Sequence, residues 1–225
     1  MHASGQVISF RTTRPFRFDR LAVALNAALP PDLAVREATV VPAGFSARFS
    51  ALDRRYIYAI AHRPQRSAFL RRYAAHVWVP LDIEAFASGA AHLIGEHDFR
   101  SFCGVLPPGG RTVRRIRDLR IERVGDLLRI EIAADGFLHR MVRTIVGTLL
   151  ECAIGRRDSG SIPKILAATD RAAAGKTAPA QGLYLAGVRY PDGYDSFAPP
   201  PLFAMTSPIR YDLAEHGLSA SRLQR

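Results

Sequence analysis

The run Asp135-Gly136-Phe137-Leu138-His139-Arg140-Met141-Val142-Arg143-Thr144-Ile145-Val146-Gly147-Thr148-Leu149-Leu150 decides how this chain folds. Within it Leu138, Met141, Val142, Ile145, Val146 and Leu149 recur at i, i+3, i+4, i+7, i+8 and i+11, the stripe of a helix lying on a core. Asp135-Gly136 interrupts the strand pattern ahead of it. His139 and Arg143 share a face at the flank of the stripe, which puts a fixed cation at the edge of a buried surface. Spacing alone leaves the alternative open, a merely solvated helix flank.

Outward from that helix the pattern alternates strands with helices. Leu119 to Val124 and Leu127 to Ala133 flank Gly125-Asp126, a two-residue hairpin signal. Arg54 to Ile60 reads as a strand with Tyr56, Tyr58 and Ile60 on one face and Arg55, Ile57 and Ala59 on the other. Arg63 to Arg72 reads as a basic loop and Tyr73 to Val79 as a strand. Asp82 caps a helix bearing Ile83, Phe86, Ala87, Ala90 and Ile94, which Gly95-Glu96-His97-Asp98-Phe99 closes as a turn. A short helix is expected over Ile162 to Ala168 and a last strand over Gly182 to Tyr190. Near the N-terminus, Met1 to Phe10 reads as a strand, Phe18 to Leu29 as a helix closed by Pro30-Pro31, and Leu33 to Val41 as a strand. These pieces make only part of a layered unit, so Ile8, Phe10 and Leu25 are expected to lack cover. Pro107 to Gly110 reads as a loop, and Pro199-Pro200-Pro201 opens a polar tail to Arg225, expected to be mobile.

The composition narrows the function classes. At 225 residues, 48% hydrophobic and 23% charged, the chain can bury a sizeable core. Its longest apolar runs fall short of a membrane span and its N-terminus lacks the apolar block of a signal peptide, which reads as cytoplasmic. Cys103 and Cys152 stand alone, without metal-ligand spacing. Lys plus Arg number 31 against 20 Asp plus Glu, a formal charge of +11, and nearly all the cations are arginine. That excess favours a polyanionic partner, because guanidinium groups pair with phosphates and release counterions. Arg111, Arg114, Arg115, Arg117 and Arg120 cluster ahead of the hairpin, where a phosphate backbone could lie or where the loop is simply solvated. Gly175-Lys176-Thr177 fails as a nucleotide loop, since Asp170 stands where the first glycine should be and Pro179 blocks the helix that should follow. His97, beside Glu96 and Asp98, lacks ligand spacing and reads as a capping or turn residue. Tyr56, taken alone, is a half-buried strand tyrosine.

Seven stretches in this order resemble the bacterial tRNA pseudouridine synthase A family. They are His2 to Val7, Leu25 to Pro30, Phe45 to Ala51, Arg55 to Tyr58, Gly95 to Phe99, Phe137 to Gly147 and Gly182 to Leu185. The resemblance implies an α/β (α+β) pseudouridine synthase fold, a mixed and mainly antiparallel sheet with helices on one face and an RNA-binding cleft on the other. Residues 1–44 would be the remainder of an N-terminal α/β half, 45–190 the C-terminal catalytic half, and 191–225 a tail. It further implies an isomerase acting on uridines of the tRNA anticodon arm without metal or cofactor, dimeric, with tRNA across both subunits. Chemically, the uridine must be flipped out, held against a ring and presented to an ionised carboxylate. By position Tyr56 matches the tyrosine that packs on the base, Arg143 the basic residue that pairs with the nucleophilic aspartate, and Gly182, Leu183, Tyr184 and Leu185 a wall of the pocket. Arg54, Arg55, Arg111, Arg114, Arg115 and Arg140 are the expected RNA contacts.

The departures bear on activity. In the family the nucleophile sits in an Arg-Thr-Asp-Ala-Gly-Val-His run whose His aligns with His2, so the aspartate belongs before Met1. Asp53 and Asp135 belong to other segments. Ser46 stands where the family usually has His. Met1 falls on the family's Val, which suggests translation from an internal start, with in-frame Arg-Thr-Asp-Ala-Gly codons upstream. The expectation is therefore no turnover from residues 1–225 alone, the alternatives being an RNA-binding remnant that performs no isomerisation and a decayed gene product that hardly folds and aggregates through Ile8, Phe10 and Leu25.

Overall fold

The computed structural model describes all residues except 14–16, 107–108, 199, 201–202, 204–208, 212–219 and 222–225. The expected loop at Pro107-Pro108, and much of the tail from Pro199 on, lie outside the described residues. The described residues divide into two compact units, one of Met1–Gln6 with Leu52–Arg225 and one of Val7–Ala51.

In the larger unit the strands β1 (His2–Ala3), β2 (Asp53–His62), β3 (Ala75–Val77), β4 (Gly95–Asp98), β5 (Val113–Val124), β6 (Leu127–Ala134), β7 (Leu183–Arg189), β8 (Ser196–Phe197), β9 (Ile209–Tyr211) and β10 (Ala220–Ser221) form one sheet. Its main path runs β1-β7-β2-β6-β5-β9-β10. Pairing is antiparallel except for β1 on β7 and β3 on β2. The fold is thus the mixed, mainly antiparallel α/β arrangement expected. The alternation of β2 is borne out: Tyr58 and Ile60 enter one cluster and Ile57, Ala59 and Ala61 the other.

The first cluster is the main core. It joins that face of β2, β5 and β6 to α2 (Ile83–Ala91), α3 (Met141–Ala153) and α4 (Ile162–Ala168). Met141, Val142, Ile145, Val146 and Leu149 are all buried there. The helix starts later than its stripe, because Arg140 takes the left-handed conformation at φ 62° and ends the turn before it. Leu138 therefore packs from a loop, and His139 does not share a helical face with Arg143. Asp82 caps α2 as expected, accepting from the Ala85 amide at 3.0 Å. Gly95 to Asp98 is not a closing turn but an edge strand paired with β5 from Ile116 to Val113. His97 does make a turn bond, its Nε2 lying 3.0 Å from the Ile94 carbonyl.

The opposite face carries buried charge. Glu122 and Glu131 are 5% and 6% exposed, and Arg129 bridges them across β5 and β6. Phe203 is buried on this face with the Arg129 guanidinium 5.8 Å from its ring centre. The described parts of the tail are therefore packed rather than free, with β8 on β7 and β9 on β5.

In the smaller unit α1 (Phe18–Ala28) forms as expected and buries Leu21. The Asn26 side chain ties it to the backbone of Val35 with a donated bond of 2.8 Å and an accepted one of 2.7 Å. The strands expected at 7–10 and 33–41 do not form. An extended segment becomes a strand only when its amides and carbonyls meet a partner, and no described segment pairs with these. Ile8, Phe10, Leu33 and Val40 are correspondingly exposed.

Candidate active site

Three elements converge beside α3. Tyr56 sits half-buried on β2, packed edge-on against Phe137 with ring centres 5.0 Å apart, and burial raises its phenol pKa against the lowering influence of Arg54. Two residues on, the Tyr58 hydroxyl donates to the Pro179 carbonyl at 2.7 Å. Burial pushes that phenol well above its ordinary range, with the Arg143 charge opposing. Arg143 thus lies within electrostatic reach of the face that Tyr56 and Tyr58 share.

The Arg143 guanidinium is fixed from behind. Its Nε donates to the Ala178 carbonyl at 2.7 Å, and the Ala178 amide returns a bond to the Arg143 carbonyl at 3.0 Å. The 175–178 segment can lie this close only because residue 147 is glycine, where a Cβ would stand 1.7 Å from the Lys176 carbonyl oxygen. Further bonds run from the Gly175 amide to Thr148 at 2.9 Å and from the Lys176 amide to Glu151 at 2.9 Å. The Gly-Lys-Thr run that fails as a nucleotide loop is in fact a brace for Arg143. Among the described residues no carboxylate pairs with Arg143, and neither of its terminal nitrogens has a hydrogen-bond partner.

The neighbouring strand does not present Gly182 to Leu185, the expected wall, as one surface. Leu183 and Leu185 stand opposite Tyr58 and Tyr56 on β2, whereas Tyr184 pairs with Ile57 and turns to the other face. Strand alternation makes this unavoidable: consecutive residues of β7 cannot all line one pocket. A bulge between Arg55 and Tyr56, which skips Ala186, sets this register. Gly182 fits under the Tyr58 ring, where a Cβ would lie 2.8 Å from Cζ.

The arginines expected to meet RNA are dispersed. Arg54 donates to the Asp135 carbonyl at 2.8 Å. Arg55 lies on the opposite face, paired with Glu131, its guanidinium 5.3 Å from the Phe197 ring centre. Both line an open cleft of about 340 Å³ with Arg117 and Arg189, which hold the nearly buried Asp53 between them. Arg114 bonds the Val113 carbonyl and Arg115 reaches Glu96 at 3.3 Å. Arg111 and Arg140 are exposed, Arg140 at the entrance to α3 in a conformation that costs a non-glycine residue on the order of 1 kcal/mol. No group of His, Cys, Asp and Glu among the described residues is placed to hold a metal ion. No helix among them is long and apolar enough to cross a membrane.

The tRNA pseudouridine synthase family profile matches residues 90–191, which span β5, β6, α3 and β7. The tRNA pseudouridine synthase A of Halalkalibacterium halodurans is 48% identical over 183 residues, 81% of this chain and 70% of that protein. The chain belongs to the tRNA pseudouridine synthase A family. The family's Bacillus subtilis member is 43% identical over 190 residues, covering 84% of this chain and 77% of its own length. The Shigella boydii member is 42% identical over 205 residues, 90% of this chain and 76% of its own. The family is one of isomerases that modify uridine in tRNA. Membership also shows the seven-stretch resemblance to have been a family signature.

Proposed function

We propose that Tyr56, Arg143, Gly182, Leu183 and Leu185 form the uridine pocket of a synthase that isomerises uridine in the tRNA anticodon stem-loop. Arg111, Arg114, Arg115, Arg140, Arg54 and Arg55 contribute to holding the RNA. In this reading the nucleophilic aspartate is supplied by residues ahead of Met1, and residues 1–225 alone bind tRNA without turnover. Residues 1–44 then belong to an N-terminal half and 45–190 to the catalytic half of a cytoplasmic homodimer.

The observation that carries the reading is the braced guanidinium of Arg143 without a carboxylate among the described residues. A second feature supports it. β1 runs parallel to β7 with His2 opposite Tyr184, so any residues ahead of Met1 that kept this direction would run alongside Leu183 and Gly182 toward Pro179, the region that holds Arg143 and Tyr58. A carboxylate arriving there would be kept ionised by the guanidinium and aimed by it. Tyr56, with its raised pKa, stays a neutral ring able to stack on an extruded base. The alternative is a non-catalytic RNA-binding remnant, and activity separates the two. In protein extended through the upstream segment, Arg143→Ala and Tyr56→Leu should each lower tritium release from 5-labelled uridine in tRNA at least a hundredfold. Wild-type release by both variants would refute the assignment.

A further inference from the structure

Tyr184 is the member of the Gly182–Leu185 run that the proposed pocket leaves unused, and the structure gives it a different neighbour. Its ring stacks on His2, with centroids 4.7 Å apart and planes at 28°. His2 in turn lies 5.4 Å from the Tyr73 ring. Two successive carbonyls of the 70–73 turn hold this pair: His2 Nε2 lies 2.8 Å from the Arg72 carbonyl, and the Tyr184 hydroxyl donates to the Tyr73 carbonyl at 2.6 Å. Facing a carbonyl oxygen, which can only accept, Nε2 carries the proton in this contact.

The backbone by itself holds β1 lightly. Only His2 and Ala3 are in register, with Tyr184 and Leu185, and the amides of Ser4 and Gly5 share the Leu185 carbonyl at 2.9 and 3.1 Å. A slip of one residue in such a short ladder would turn every preceding side chain to the other face. At the N-terminal end of β1 the side-chain pair opposes the slip, because a displaced His2 loses both its ring contact and its carbonyl. Further on, Ser4 bonds the Ala198 carbonyl, the Ser196 hydroxyl donates to the Gly5 carbonyl at 2.7 Å, and Gly5 fits where a Cβ would lie 2.2 Å from the Ala186 oxygen.

We propose that His2 and Tyr184 form an aromatic clamp that fixes the register of β1 and thereby the position of the segment preceding it. They are positioning residues for the family's aspartate. The inference rests on the reading that this aspartate precedes Met1. Reactive geometry is sensitive to displacements of about 1 Å, so a loosened clamp should reach turnover before it reaches tRNA affinity, whose proposed arginines sit on other elements.

The test uses the chain extended by the residues encoded before Met1, with single-turnover rate, tRNA Kd and Tm measured for each variant. His2→Ala should lower the rate at least tenfold with Kd unchanged within twofold. His2→Gln, whose side-chain amide can reach the Arg72 carbonyl, should recover most of that loss. In residues 1–225 alone, His2→Ala should speed exchange of the Ser4 and Gly5 amides at least tenfold while those of Val142 to Leu149 stay protected. An extended enzyme that needs its aspartate yet is unimpaired by His2→Ala overturns the clamp alone. A rate loss matched by equal losses in Kd and Tm, and not rescued by Gln, overturns it in favour of general structural support. An extended chain that remains active after its aspartate is changed to Ala overturns the underlying reading and the clamp with it.

Discussion

Replacing Gly147 by Ala should dislodge the brace that fixes Arg143. The new Cβ would stand 1.7 Å from the Lys176 carbonyl oxygen, against a closest ordinary approach of 3.0 Å, so the 175–178 segment must retreat by about 1.3 Å. Four hydrogen bonds cross this contact: Ala178 amide to Arg143, Arg143 Nε to Ala178, Gly175 to Thr148 and Lys176 to Glu151. At roughly 0.5–1.5 kcal/mol each their loss costs about 2–6 kcal/mol. The better helix propensity of Ala returns only about 1 kcal/mol. The net expectation is a loss near 3 kcal/mol, which for a chain of this size lowers Tm by roughly 6–12 °C. Gly44→Ala is the control, since a Cβ there meets nothing within 4 Å, and its effect should stay within about 1 kcal/mol. Urea and thermal unfolding of residues 1–225 measure both. A Gly147→Ala protein as stable as the parent would refute the packing of 175–178 on α3 and the account of how Arg143 is held.

Other predictions follow from charge and burial. Arg111→Ala and Arg140→Ala, both exposed, should each weaken tRNA binding and reduce the slope of log K against log salt by about 1, whereas Arg115→Ala, already paired with Glu96, should do less. Equal salt slopes in parent and variants would remove these residues from the RNA surface. Burial raises the Tyr58 and Tyr184 phenols above their ordinary value of 10.0, with the Arg143 charge opposing at Tyr58 and Tyr73 adding at Tyr184. The native state therefore keeps protons that the unfolded chain releases. Stability is fully present below about pH 10 and falls as pH rises toward the folded-state values, by up to about 1.4 kcal/mol per pH unit for each tyrosine. Urea midpoints from pH 9 to 11 read this directly, and a flat profile would contradict the burial of those hydroxyls.

The apolar periodicity of residues 141–149 and the alternation of β2 were legible in the sequence because burial of a face imposes its period on the chain. The start of α3 was not, since the left-handed backbone of Arg140 has no signature in residue type. Grouping Gly182 to Leu185 as one wall overlooked the pleat, which sends Tyr184 away from Tyr56. Val7 to Phe10 has strand composition yet forms no strand, because strand identity depends on a partner that composition does not reveal. The brace of Gly147, Thr148 and Glu151 on the 175–178 backbone is wholly tertiary. Its one sequence trace is a glycine inside a helix, which a close backbone approach explains. The buried Glu122-Arg129-Glu131 ladder was likewise hidden, because charged residues on a hairpin ordinarily read as solvated.

The central claim is that the braced guanidinium of Arg143 faces a carboxylate contributed from ahead of Met1. Tritium release from tRNA labelled at uridine C5 tests it most directly, with residues 1–225 compared against the same chain preceded by its upstream codons. The account predicts tRNA binding without release from the first and release from the second, abolished when the upstream aspartate is changed to Ala. Release by residues 1–225 alone would contradict it.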